Sequence, residues 1–86
     1  MKHATAAALE RLSGLLADIR RLGLMKEKSP GVFYCRSKAF LHFHEDPAGL
    51  FADIRTGQDW ERLPVNSKAD QAKLFRRVHS HLAALS

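Results

Sequence analysis

Residues 32 to 63 alternate between apolar and polar side chains with a period of two, and this pattern constrains the fold more than any other feature. Such a period is typical of β-strands, because successive side chains of a strand point to opposite faces. Three turn signals divide the segment: Arg36-Ser37-Lys38, the proline- and glycine-containing Asp46-Pro47-Ala48-Gly49, and Thr56-Gly57-Gln58-Asp59. We therefore expect four antiparallel strands in a meander, at residues 32–35, 39–45, 50–55 and 60–63.

Helical patterns flank this segment on both sides. Leucine and isoleucine recur at helical spacing over residues 5–22, which predicts one helix with Thr5 as its N-cap. The last helix is expected to begin at Ser67, because Asp70 three residues later completes a capping-box arrangement. Residues 26–31 are polar and contain proline and glycine, which predicts an exposed turn.

The order α-β-β-β-β-α predicts an α+β fold. Two helices packed on one face of a four-stranded antiparallel sheet is the simplest arrangement that buries both apolar helix stripes. A chain of 86 residues allows one domain, residues 1–86. On the last helix, Lys73 and Arg77 point away from the apolar stripe, so we expect them to meet solvent or a partner.

Localisation is predicted from two further patterns. No apolar run approaches the roughly 20 residues that a membrane span needs. The N-terminus lacks the unbroken apolar stretch of a signal peptide. We therefore expect a cytoplasmic protein that has no contact with a membrane.

The alternation sorts the side chains of the sheet into two faces with different chemistry. The apolar set, which includes Leu41, Phe43 and Ile54, is expected to meet the helices. The expected register places His42 opposite Asp53 and His44 opposite Phe51, and it pairs Arg55 with Trp60 and Asp53 with Arg62. The uncovered face is then predicted to carry aromatic, cationic and histidine side chains: Phe40, His42, His44, Phe51, Asp53, Arg55, Trp60 and Arg62.

Three interpretations of this uncovered face remain open. Aromatic and cationic side chains on a sheet can stack bases and hold phosphates, and the formal net charge of +5 favours an anionic partner such as nucleic acid. The same residue types are enriched at the centres of protein interfaces, which predicts a homodimer or another protein partner. Alternatively, the aromatic rings only cap a small second core while the polar residues pair across the strands.

The histidines of the second strand suggest a further alternative. His42 and His44 lie on one side of the strand with their Cβ atoms about 7 Å apart, a spacing that can chelate one metal ion if a third ligand approaches. Asp53 is the candidate for that ligand. An ion pair between His42 and Asp53 is the simpler expectation, and it would raise the pKa of His42.

Catalysis is not favoured by the sequence. The uncovered face offers no nucleophile unless Cys35 or Tyr34 lies nearby, and the chain contains no glycine-rich phosphate loop. Cys35, the single cysteine, lies in an apolar strand pattern that is typical of a packing role. We expect a non-catalytic binding or self-association module that needs no cofactor, with nucleic-acid binding and metal binding as the alternatives.

The strand region resembles a known family of small bacterial proteins. Residues 31–34 (Gly-Val-Phe-Tyr), 38–46 (Lys-Ala-Phe-Leu-His-Phe-His-Glu-Asp) and 49–55 (Gly-Leu-Phe-Ala-Asp-Ile-Arg) are similar to MmcQ/YjbR-type domains, whose hairpins carry a comparable Lys-Ala-Phe step and acidic turn. The resemblance covers at most half of the chain and implies a cytoplasmic α+β domain for which DNA binding has been suggested. It assigns no functional residue, and His42 and His44 lie outside the shared pattern.

Overall fold

The computed structural model describes residues 2–85, with side chains from His3 onward, so Met1 and Ser86 of the predicted domain lie outside the described residues. In chain order the elements are β1 (Lys2–His3), α1 (Ala6–Arg11), α2 (Ser13–Arg21), β2 (Lys26–Ser29), β3 (Val32–Cys35), β4 (Lys38–Asp46), β5 (Gly49–Thr56), β6 (Asp59–Pro64) and α3 (Lys68–Leu85). The strands form one antiparallel sheet in the order β2-β3-β4-β5-β6. β3 pairs with the first part of β4, up to His42, and β1 pairs with His44 and Glu45 on the same edge of β4. The α+β class and the antiparallel meander are confirmed.

The helices and one face of the sheet share a single hydrophobic core. The apolar set predicted for that face is buried, with Leu41, Phe43 and Ile54 each at most 1% exposed. The buried residues of the three helices belong to the same cluster: Ala8 of α1, Leu15, Leu16 and Ile19 of α2, and Leu74, Val78 and Leu82 of α3. The helices therefore lie on one side of the sheet, as predicted. None of the helices within residues 2–85 is both long enough and apolar enough to cross a membrane.

The strand β2 was not predicted, and the interpretation of residues 26–31 as a turn is wrong for most of that segment. Glu27 of β2 lies opposite Phe33 of β3, and only Pro30 and Gly31 make the turn. The Glu27 carboxylate accepts hydrogen bonds from the Arg20 side chain at 2.6 and 2.8 Å and from the Gly31 N–H at 2.9 Å. This edge strand buries little of itself, which explains why its sequence carries no apolar alternation.

The predicted helix over residues 5–22 is two helices. Thr5 is the N-cap of α1, since its hydroxyl accepts the Ala8 N–H at 3.3 Å, as expected. The helical path is interrupted at Leu12, whose φ and ψ are −100° and 11°. Ser13 and Gly14, which follow, are weak helix formers. Leu12, at the interruption, is itself buried, and both α1 and α2 pack their apolar residues into the core.

The last helix is capped as predicted, but one of its half-buried side chains contacts the sheet instead of solvent. Ser67 and Asp70 exchange hydrogen bonds of 3.0 and 3.3 Å between side chain and backbone. Arg77 was expected to meet solvent or a partner, but it donates to both carboxylate oxygens of Glu61 in β6, at 3.0 and 2.5 Å. The pair joins α3 to the edge of the sheet.

A β-bulge in β4 overturns the prediction for Phe40. Phe33 lies opposite Leu41, but the next residue of β3, Tyr34, lies opposite Ala39, so Phe40 is the extra residue. Phe40 is only 3% exposed, and its ring centroid lies 5.0 Å from that of His81 in α3. Phe40 and Leu41 are both buried, because the bulge breaks the alternation between faces. The placement of Phe40 on the uncovered face is therefore wrong.

Beyond the bulge, the predicted register is confirmed. His42 lies opposite Asp53 and His44 opposite Phe51. Between β5 and β6, Arg62 lies opposite Asp53, and Trp60 lies opposite Arg55. The strands therefore bring seven of the eight predicted residues to one side of the sheet.

Candidate functional site

The side of the sheet opposite the helices is called the open face below. Strand register and ring contacts place mainly aromatic, basic and histidine side chains there, together with two carboxylates: His3, Lys26, Lys28, Tyr34, His42, His44, Asp46, Phe51, Asp53, Arg55, Trp60 and Arg62. Within residues 2–85, neither α1, α2 nor α3 packs on this side.

Asp53 is the centre of the polar contacts on the open face. It is 9% exposed, and its Oδ1 and Oδ2 accept hydrogen bonds from Arg62 at 2.8 and 3.0 Å. His44 Nε2 lies 3.0 Å from Oδ2. The hydrogen bonds from Arg62 hold the pKa of Asp53 below its usual range, and His44 acts in the same direction. Asp53 is therefore an ionised carboxylate in a fixed orientation.

The expected ion pair between His42 and Asp53 is replaced by a different arrangement. Although the two residues are register partners, the imidazole beside the carboxylate is that of His44, and His42 Nδ1 lies 3.3 Å from His44 Nε2. Burial lowers the pKa of His42, and the neighbouring His44 lowers it further. The predicted rise in that pKa is wrong, because burial and a second imidazole outweigh the attraction of Asp53.

A third histidine joins the cluster from the first strand. β1 pairs with β4 so that His3 lies opposite His44. The ring centroid of His3 is 5.2 Å from that of His44 and 6.1 Å from that of His42, while His42 and His44 are 5.4 Å apart. His3 was not predicted as part of this face, since a two-residue strand has no periodic signal.

Two cations lie over aromatic rings on the open face. The Arg55 guanidinium is 4.8 Å from the ring centroid of Trp60, and the Lys28 ammonium is 4.3 Å from that of Tyr34. Trp60 also lies against His42, with 4.4 Å between ring centroids, and remains 38% exposed. The pair of Lys28 and Tyr34 was not anticipated, because it depends on β2.

The predicted metal ligands are neighbours in the fold. His42, His44 and Asp53 each offer one ligand atom, and these atoms all lie within 4.8 Å of one another. Cys35, considered above as a nucleophile, instead lines a cavity of about 360 Å³ together with Phe40 and His81. The open face thus combines a carboxylate–imidazole cluster with aromatic and cationic side chains.

Comparisons with known proteins returned nothing that resembles this chain. No protein-family model matches the sequence. The curated proteins and the solved structures likewise contain no match. The resemblance to MmcQ/YjbR-type domains stays a prediction, and function has to be argued from the geometry of the open face.

Proposed function

We propose that the protein is a non-catalytic binding module of the cytoplasm and that its open face holds single-stranded nucleic acid. The observation that carries this proposal is the presence of two cation–aromatic pairs, Arg55 with Trp60 and Lys28 with Tyr34, on one uncovered sheet face. Aromatic rings stack on bases of any sequence, and adjacent cations attract the phosphates.

The spacing of the two rings suits separate bases of one strand. Tyr34 lies on β3 and Trp60 on β6, three strands away. At the usual spacing between strands, the two positions are about 14 Å apart. Both lie toward the same end of the sheet, because Tyr34 pairs with Ala39 near the start of β4 and Trp60 pairs with Arg55 near the end of β5. A strand that crosses the sheet there would meet both rings.

The charge of the open face supports an anionic ligand. Lys26, Lys28, Arg55 and Arg62 carry four positive charges on this face. They are opposed by two carboxylates, Asp53, which is paired with Arg62, and Asp46, which also lies near Arg62. The formal net charge of the whole chain is +5. Such an excess raises the local concentration of polyanions around the face.

Self-association through the same face, the other expectation from the sequence, has weaker support. Stable homodimer interfaces bury a mostly apolar centre. Among residues 2–85, the only exposed large hydrophobic side chains are Leu24 and Trp60. Leu24 precedes the edge strand β2 and lines a cavity with Lys28 and Tyr34, at the opposite edge of the sheet from Trp60. Two copies facing each other would also bring Lys28 and Arg55 toward like charges.

Fluorescence titration tests the proposal directly, because Trp60 is the only tryptophan of the chain. Addition of a thymidine oligonucleotide at low ionic strength should quench the emission, and the affinity should fall linearly with salt on a logarithmic scale. Arg55→Gln should weaken binding and reduce the salt slope. Arg76→Gln removes the same charge from an exposed position of α3 and should change neither.

Three results would contradict the proposal. The first is unchanged emission at low salt, and the second is equal affinity for the Arg55 and Arg76 variants. The third is a concentration-dependent mass in light scattering that Trp60→Ala abolishes, since this would assign the face to a second copy of the chain.

A further inference from the structure

We propose that His42, His44 and Asp53 bind one divalent transition-metal ion of the zinc class, with His3 as the fourth ligand. The proposal is independent of nucleic-acid binding, because it depends only on the histidine cluster at the centre of the open face. Imidazole and carboxylate ligands suit zinc, nickel, cobalt and copper better than magnesium or calcium.

Two of the three distances between the ligand atoms are close to those around a tetrahedral ion, and all three are within 4.8 Å. Ligand atoms at about 2.0 to 2.2 Å from zinc are about 3.3 to 3.5 Å from one another in a tetrahedral site. His42 Nδ1 lies 3.3 Å from His44 Nε2, and His44 Nε2 lies 3.0 Å from Asp53 Oδ2. His42 Nδ1 and Asp53 Oδ2 lie within 4.8 Å of each other, and rotation of the two side chains would bring them to the tetrahedral separation around one ion.

Hydrogen bonding alone satisfies this arrangement incompletely. His44 Nε2 carries at most one hydrogen, which can be donated to Asp53 Oδ2 or to His42 Nδ1 but not to both. One of the two contacts at 3.0 and 3.3 Å therefore has no hydrogen from Nε2. A metal ion between the three atoms would interact with a lone pair on each of them, so the cluster is better matched to a cation than to a proton.

The position of His3 fits the remaining ligand site. Imidazoles that share one zinc ion have ring centroids about 5 to 6 Å apart, because each centroid lies about 3.2 Å from the metal. The three centroid distances among His3, His42 and His44 are 5.2, 5.4 and 6.1 Å. His3 is exposed, so its ring is free to turn a nitrogen toward the ion.

Neighbouring side chains would support the bound ion. Arg62 donates from Nε to Asp53 Oδ1 at 2.8 Å and from Nη2 to Oδ2 at 3.0 Å, which fixes the carboxylate with Oδ2 beside His44. Ligating carboxylates are commonly held in this way by an outer hydrogen bond. Trp60 packs on His42 and limits the access of water from that side.

The test uses the full chain without a histidine tag, stripped with a chelator and titrated with Zn²⁺ and with Co²⁺. We expect one equivalent of tight binding and, for Co²⁺, the visible absorption of a tetrahedral site. His42→Ala and His44→Ala should each lower the affinity by more than about a hundredfold, and His3→Ala by about tenfold. His79→Ala, an exposed histidine of α3, should leave it unchanged.

Imidazole NMR of the unmodified protein keeps the test decisive if a variant fails to fold. One equivalent of Zn²⁺ should shift the resonances of His3, His42 and His44 and leave those of His79 and His81 in place. Absence of uptake by the stripped protein would overturn the proposal. It would also be overturned by binding that persists in the double variant His42→Ala and His44→Ala.

Discussion

The two faces of the central strands β4 and β5 are built on different principles. On the helix side, Phe43 and Ala52 lie opposite each other and are almost completely buried among apolar neighbours. One residue further along, on the other side of the same strands, His44 and Asp53 are in direct polar contact. Packing volume therefore determines the first face, whereas matched donors and acceptors determine the second.

The largest difference should appear when an aromatic ring is removed from each face. Phe43→Ala leaves a cavity in a closed apolar core, and we expect it to lower the free energy of unfolding by about 3–5 kcal/mol. Phe51→Ala removes a half-buried ring from the open face and should cost about 1 kcal/mol. Urea unfolding followed by circular dichroism measures both. Equal losses would mean that the open face is packed like a core.

A smaller effect is expected from the two bidentate carboxylate–arginine pairs, one on each face. Asp53→Asn keeps the shape of a buried side chain but weakens its bonds to Arg62 and His44, which should cost about 1–3 kcal/mol. Glu61→Gln alters the exposed pair with Arg77, and we expect a change too small to separate from the unmodified protein. Urea unfolding in the presence of a chelator measures the free energy of unfolding of both variants. A larger effect at Glu61 would reverse the proposed order.

The smallest effect concerns pH and the helix-side contact of β2. The hydrogen bonds from Arg20 hold the pKa of Glu27 below its usual value. Because the folded state binds this proton less readily than the unfolded state, the stabilisation is present at neutral pH and is lost as the pH falls through the lowered pKa. Glu27→Gln should reduce stability at pH 7 by less than about 1 kcal/mol and by nothing near pH 2.

The control for this pH dependence is Glu10→Gln, at an exposed position of α1. It should show no comparable difference between the two pH values. If the Glu27 variant instead lost more stability at acid pH than at neutral pH, the assigned direction of the pKa shift would be wrong. Thermal unfolding at several pH values between 2 and 7 provides the measurement.

The register of the central strands was predictable because two independent signals agree there. The length of the Asp46–Gly49 turn and the alternation of Leu41 and Phe43 against Ala52 and Ile54 permit only one pairing that buries all the apolar residues. Strand β2 was not predictable in this way. Three of its four residues are exposed, so its place in the sheet depends on backbone pairing and on the contact between Glu27 and Arg20.

Side-chain partners on the open face were only partly predictable. Register places His42 opposite Asp53, but it does not determine which of two neighbouring imidazoles approaches a carboxylate that Arg62 already holds. His3 reaches the cluster through a pairing between segments that are distant in the sequence. Alternation also assumes an unbroken strand, and this assumption failed for Phe40.

Because Phe40 is an extra residue of β4, the chain could be one residue shorter at this position without any change in the pairing of β3 with β4. Phe33 pairs with Leu41, and Tyr34 with Ala39. If Phe40 alone were absent, these four residues would form a continuous ladder, and no other β3–β4 partner would have to move. The loss would be one aromatic ring beneath the end of α3. Homologous chains that are one residue shorter here can thus retain the whole sheet, provided that a bulkier side chain from α3 fills the vacated space.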